Sequence, residues 1–504
     1  MKNTLFRILI VPALAAVLAI PAAAQVDLTR LVLVGDSIGA GISSGCLTQR
    51  VQVDSIGAII ARTNGNVDYQ QPIISDPGLG GCMVLTSLAP SFGNEPSTGK
   101  PTNLALPRPY NNLAVSGCRI HDMLAATTAS EATQGDCSSF IDIVLRNSSL
   151  HLGSQVDQAI ALNPTFVVLE NIGDDYLRAM TTGTVIDGVT MTPVANFTAD
   201  TNAAVAKLAA KQPKGVAFGV VDITNVPFTT TLPPYLTSGG KLVLGPDGKP
   251  IPLLGPKGCP TGVPACPIPN TTLVTLNAAG YLQSGFGIPC AVVPTLPNCN
   301  KPLPASALDA SHPGCLIYAA DVATIKQRGA DFNAATKAAA KANGYAYYDP
   351  NPLLASFCKD GPANGCKVGL SYGGAMISAA YLQGGAFGYD GVHLTPTGYA
   401  ILADDLSQFI NANFPGANLS RVAMGTYLFA GGTAGGLSGP YTNPYAWAPI
   451  TDAERAEAIE QIFTLDFASR LAAMVGPRRG VVVAPGPLEP VLRYPGGTRL
   501  DPLP

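Results

Sequence analysis

Four consecutive apolar residues, Leu31-Val32-Leu33-Val34, run straight into Gly35-Asp36-Ser37 and then into the small residues Gly39, Ala40 and Gly41. A run this short and unbroken suits a strand buried on both faces, as in a parallel sheet. The glycine-flanked turn after it lifts Ser37 to the carboxyl edge of that sheet, where open α/β folds place their ligands. A serine held there becomes a nucleophile when a base reaches its hydroxyl.

The base is expected some 350 residues later, in Tyr389-Asp390-Gly391-Val392-His393-Leu394-Thr395-Pro396. Thr395 followed by Pro396 has the form of an N-cap and first helical position, so Asp390 and His393 belong to the loop feeding a helix. Three residues apart in a turn, the carboxylate can accept from one imidazole nitrogen and leave the other free to take a serine proton. The chain has only three other histidines, His121, His151 and His312. His312 lies in a loop-rich stretch with no carboxylate set to orient it.

Gly-Asp-Ser near the start and Asp-x-x-His near the end resemble the SGNH, or GDSL-type, hydrolases. The resemblance implies a flavodoxin-like three-layer α/β fold and hydrolysis of carboxylic esters by Ser37, His393 and Asp390. It also implies an oxyanion hole. Tyr110-Asn111-Asn112-Leu113-Ala114-Val115-Ser116-Gly117 resembles the family's second block, in which the glycine amide, here Gly117, is a donor beside the Ser37 amide. Asn112 is expected to fasten the local backbone, and Asp36 to accept backbone amides in its turn.

The third block departs from the pattern. Phe166-Val167-Val168-Leu169 is another short buried strand, followed by Glu170-Asn171-Ile172-Gly173-Asp174-Asp175. The family usually has Gly-x-Asn-Asp here, the Asn amide donating to the oxyanion; aligned without gaps, Asp174 takes that place. An ionised carboxylate cannot donate and repels developing negative charge. Three accounts stay open: Asn171 reaches the hole from a shifted turn, Asp174 is protonated and donates, or the hole runs on two backbone amides at a cost of roughly 10²–10³ in rate.

Helix and strand alternate elsewhere. The spacing predicts helices over 51–62, 154–162, 199–212, 321–343 and 397–414, and strands over 215–221 and 345–348. This is the pattern of a doubly wound parallel sheet flanked by helices, and it places an SGNH-like domain over 27–415. Within it, 64–108 is expected to be irregular, and 233–315 to be a Pro/Gly/Cys-rich insertion, either a lid or decoration. Residues 416–504 form an extension with a helix from Thr451 to about Met474 and no assignable role.

Lys2 and Arg7, the apolar run Ile8–Ile20 and Ala22-Ala23-Ala24 together predict a secretory signal peptide over 1–24, cut after Ala24, and a secreted or periplasmic protein. No later stretch is long and apolar enough for a transmembrane segment in the mature chain. The eleven cysteines are then disulfide stock. Proximity pairs Cys46 with Cys82, Cys118 with Cys137, Cys259 with Cys266, Cys290 with Cys299 and Cys358 with Cys366, leaving Cys315 over. No cluster has zinc spacing, so neither metal nor organic cofactor is expected.

At 12% charged residues and a net charge of −3, the chain has no basic run to meet phosphates, and no nucleic-acid partner is expected. The expected partner is a small-molecule or lipid ester; the sequence does not fix the oligomeric state. A carbohydrate acetyl esterase and a non-catalytic binding protein on the same fold are the alternatives. A nucleotide-binding turn fits poorly, because Gly35, Gly39 and Gly41 lack the required spacing and Ser37 interrupts them.

Overall fold

A computed structural model of the chain describes residues 26–87, 91–238, 240–306, 314–372 and 374–429. The expected signal peptide, His312 and the helix from Thr451 lie outside the described residues.

The protein is a mixed α/β structure built on a four-stranded parallel sheet. Its strands are β1 (Leu31–Val34), β2 (Phe166–Leu169), β3 (Lys214–Phe218) and β4 (Ala346–Tyr348), hydrogen-bonded in that order. Leu31 pairs with Phe166 and Val34 with Leu169, so β1 and β2 end level with each other. All eight of their side chains are buried. That is why both strands are continuous apolar runs rather than alternating ones.

The segment 111–115 lies along the other edge of β1. The Leu33 amide donates to the Asn111 carbonyl, the Leu113 amide to Leu33 and the Val115 amide to Gly35. Only one residue pair, Leu33 with Asn112, has the geometry of a ladder. Polar side chains take over the rest: Asn111 Nδ2 bonds the Leu31 carbonyl and Asn112 Nδ2 the Gly39 carbonyl. The segment is thus joined to β1 by backbone bonds and asparagine side chains together.

The helices that bear on the site are α1 (Ser37–Ala40), α2 (Ile56–Thr63), α3 (Ile120–Ala125), α4 (Gly135–Leu145), α5 (Gln155–Ala161), α6 (Val194–Ala209), α7 (Ala319–Ala342) and α8 (Pro396–Asn413). They pack in two groups: α2 against α8, and α6 against α3, α5 and α7. The helix expected over 51–62 is two pieces, with a separate turn at Gln49–Gln52. Asp54 and Ser55 interrupt it, and Ser55 takes an extended conformation at the new N-terminus, where short polar residues are favoured. α6 begins at Val194, directly after Pro193, and stops before 212, because Gln212 adopts a left-handed conformation.

All five expected disulfides form, and Cys315 belongs to none of them and is buried. The irregular region 64–108 contains a hairpin, Met83–Ser87 with Ser91–Asn94. The insertion is more ordered than its composition suggests. Two-residue ladders and two of the disulfides surround a core of its own that includes Leu253, Ile268, Val274, Leu303 and Leu316. It also meets the 389–396 loop: Leu276 packs where a Gly391 side chain would stand, beside Phe228, which lies just before the insertion and whose amide donates to the Gly391 carbonyl.

Candidate active site

Three chain segments converge where the sheet strands end. From β1 comes Gly35-Asp36-Ser37, from its edge neighbour Ser116-Gly117, and from β2 the turn 170–175. Asp36 ties two of them together. Its Oδ1 caps α1 by accepting from the Ile38 amide, and its Oδ2 accepts from the Ile172 and Gly173 amides at 3.0 and 3.3 Å. Asp36 thus holds the first and third segments in register.

Ser37 is the first residue of α1 and is 8% exposed. Its Oγ lies 3.0 Å from His393 Nε2, and His393 Nδ1 lies 2.8 Å from Asp390 Oδ2. The His393 loop is held by the same carboxylate. Asp390 Oδ1 accepts from the amides of Val392 and His393, and Oδ2 also accepts from Gly45. Thr395 then caps α8 through the Gly398 amide, with Pro396 at the first helical position. Asp390, Ser37 and His393 therefore form one hydrogen-bonded chain across 356 residues of sequence.

Electrostatics supports base function. Burial pulls the His393 imidazole down, but Asp390 more than reverses this, with Asp136 and Asp36 adding to it, so its pKa sits above the ordinary value. Burial pushes Asp390 up; His393 and the two amides nonetheless hold it below the usual carboxylate range. Asp390 thus stays ionised while facing a ring that takes up a proton readily.

The Ser37 and Gly117 amides donate to no other protein atom among the described residues. Gly117 has φ +78°, and a Cβ there would stand 2.6 Å from Asp136 Cβ. Only glycine fits both the backbone and the contact. The loop is stitched to the start of α4 on both sides of that glycine. Ser116 Oγ bonds Asp136, and Cys118 is disulfide-bonded to Cys137. Cys118, Asp122 and Cys137 are close enough together to suggest a metal cluster, but both sulfurs are in that disulfide. As expected of its position, Asn112 bonds the Gly39 carbonyl and receives the Ala114 amide.

Of the two candidate side-chain donors in the third segment, Asn171 is turned aside. Its Nδ2 bonds Asp175 Oδ2, which also receives the Ile120 amide. Asp174 is buried, its Oδ2 has no partner among the described residues, and its own carbonyl accepts from Gln134.

Two carboxylates carry no local sequence signal yet are central here. Glu170 is fully buried, and its Oε2 accepts from the Asp36 and Gly39 amides at 3.1 and 2.8 Å. It fills the space that side chains at Gly35 and Gly39 would need, at 2.3 and 2.5 Å. Asp136 is part-buried beside Gly117; burial pushes its carboxyl up to about 6, against the Ser116 bond and His393.

This acid-rich setting has a consequence for stability. Asp36, Asp122, Asp136, Glu170, Asp174 and Asp175 are all raised, burial being the largest cause in each. From about pH 4, where an unfolded carboxylate ionises, up to each raised pKa, the folded state binds protons that the unfolded state has lost. Stability therefore falls as pH rises through that window. The raised His393 acts in the same direction above its ordinary value. The thermal midpoint should be higher at pH 5 than at pH 8. Calorimetry at the two pH values checks this, and a midpoint that is level or higher at pH 8 would contradict it.

Comparison with profiles of known protein families, with curated proteins and with solved structures finds no match to this chain.

Proposed function

We propose that the chain is a serine ester hydrolase of the SGNH, or GDSL, type on a doubly wound flavodoxin-like sheet. The observation that carries this reading is the continuous relay from Asp390 through His393 to Ser37 Oγ, set beside two backbone amides that have no acceptor among the described residues. Five disulfides, and the absence of any helix long and apolar enough to cross a membrane among the described residues, support export to the secreted or periplasmic space.

The mechanism is two-step acyl transfer. Ser37 Oγ attacks the ester carbonyl as His393 Nε2 takes its proton, while Asp390 fixes the tautomer and steadies the imidazolium. The amides of Ser37 and Gly117 receive the developing oxyanion. His393 protonates the leaving alkoxide, then activates a water that releases the acid and restores Ser37. The apolar composition favours lipid or short-chain acyl esters over acetylated carbohydrates.

The test is hydrolysis of p-nitrophenyl acetate, butyrate and a long-chain ester, with acetylated xylan alongside. Turnover of the aryl esters that vanishes in Ser37→Ala supports the reading, and the chain-length profile narrows the substrate. Preference for the xylan would move the assignment to a carbohydrate esterase. The rival, a non-catalytic binding protein, is favoured by one observation, the acid at position 174. It predicts wild-type rates no better than those of Ser37→Ala on every ester.

A further inference from the structure

We propose that Asp174 works as a neutral carboxylic acid whose O–H donates to the tetrahedral oxyanion, the third donor beside the amides of Ser37 and Gly117. The proposal rests on the acyl-transfer reading above and adds a catalytic residue to it.

Placement comes first. The amides of Ile172 and Gly173 are bound to Asp36, the residue before Ser37, so Asp174 follows directly on a turn anchored to the nucleophile's own loop. The two groups that act on it most strongly are Asp36 and Asp136. One precedes Ser37; the other packs against Gly117. The Asp174 carbonyl accepts from Gln134, directly before α4, so its turn is tied both to the Ser37 loop and to the helix packed against Gly117. Asn171, the other candidate, is committed to Asp175.

Partner accounting comes second. Asp174 Oδ2 is buried with no hydrogen-bond donor facing it among the described residues. A buried polar atom without a partner is uncommon in a folded protein and calls for a structural or catalytic reason. An ionised carboxylate left there would be both desolvated and undonated, which strongly disfavours the charge. The groups facing it point the same way. Asp36 from the α1 cap, Asp136 from α4 and Asp175 from its own turn oppose a negative charge, whereas Arg119, at the start of α3, favours one. Burial is the largest influence, and the carboxyl is held well above its ordinary value.

Chemistry follows from the protonation state. The neutral acid has one O–H to donate, whereas the carboxylate would repel the oxyanion. The proton stays on Asp174 throughout and only its hydrogen bond strengthens in the transition state, so the acyl-transfer balance is unchanged. A carboxylic acid kept neutral by its surroundings can do the work of the amide that an asparagine would supply there.

The experiment is kcat against pH, from 5 to 10, on p-nitrophenyl acetate for wild type, Asp174→Asn and Asp174→Ala. Rates are normalised to Ser37 titrated by an organophosphate, which counts only folded, competent sites. Wild type should rise as His393 loses its proton and fall again as Asp174 ionises. Asp174→Asn should keep the rise, lose the fall, and exceed wild type about tenfold or more on the alkaline side. Asp174→Ala should lie about 10²-fold below wild type at its optimum, the usual loss for one oxyanion donor. An alkaline fall in Asp174→Asn matching that of wild type, or Asp174→Ala within threefold of wild type, would overturn the proposal and leave the hydrolase reading intact. Wild type without turnover would overturn the hydrolase reading, and this proposal with it.

Discussion

Ser37→Ala should lower kcat for aryl ester hydrolysis by about 10⁴-fold or more, with KM nearly unchanged. The substitution removes the nucleophilic hydroxyl and with it only the contact to His393. Ser37 is the first residue of α1, where its amide has no helical acceptor, and the helix is capped by Asp36 rather than by Ser37. Folding should therefore be untouched, and the melting temperature should match that of wild type. His393→Ala should give a loss of the same order, and the double variant should be no worse than either single one. Groups that act as a unit in one proton transfer are not additive. A double variant falling below both singles by the product of their effects would mean that the two side chains act independently, against the 3.0 Å contact between them.

Glu170→Ala should destabilise the fold by about 3 kcal/mol, whereas Glu170→Gln should cost less than about 1 kcal/mol. Alanine leaves the Asp36 and Gly39 amides buried without acceptors and opens a cavity under Gly35. Glutamine keeps both the volume and a carbonyl acceptor. It also suits the charge state of the site, because burial and then the neighbouring Asp36 push the Glu170 carboxyl well above its ordinary value. These influences favour the neutral form, for which an amide is the closest substitute. Urea midpoints at constant slope measure both costs. Equal losses in the two variants would show that ionised charge, not shape and an acceptor, is what the turn needs.

The parts of this protein legible in its sequence are those whose cause is local. β1 and β2 are four-residue apolar runs because both faces are covered. The start of α8 is written in Thr395-Pro396, where a side-chain cap and a preset φ coincide. The relay from Asp390 to Ser37 was legible too. A turn of three residues brings Asp390 to His393, and the sheet carries Ser37 to the same edge. The disulfides followed chain proximity.

The rest depends on partners far away in the chain. Glu170 sits at a strand end like any other polar residue; its role appears only when two glycines some 130 positions earlier leave room for it. Asp136 likewise gains meaning from its contact with Gly117. At the 111–115 edge segment asparagine side chains add bonds to β1 and α1, which no hydrophobic period records. The insertion's ladders are only two residues long, too short to set a period, so its own core was hidden behind a Pro/Gly-rich composition.

The claim on which everything else rests is that Ser37 is a nucleophile activated by His393. Incubation with a fluorophosphonate, followed by intact-mass and peptide analysis, tests it without knowledge of the substrate. The account predicts one adduct per chain, located on Ser37, abolished in Ser37→Ala and slowed by orders of magnitude in His393→Ala. A wild-type chain that stays unlabelled, or labels as fast with His393→Ala as without it, would contradict it.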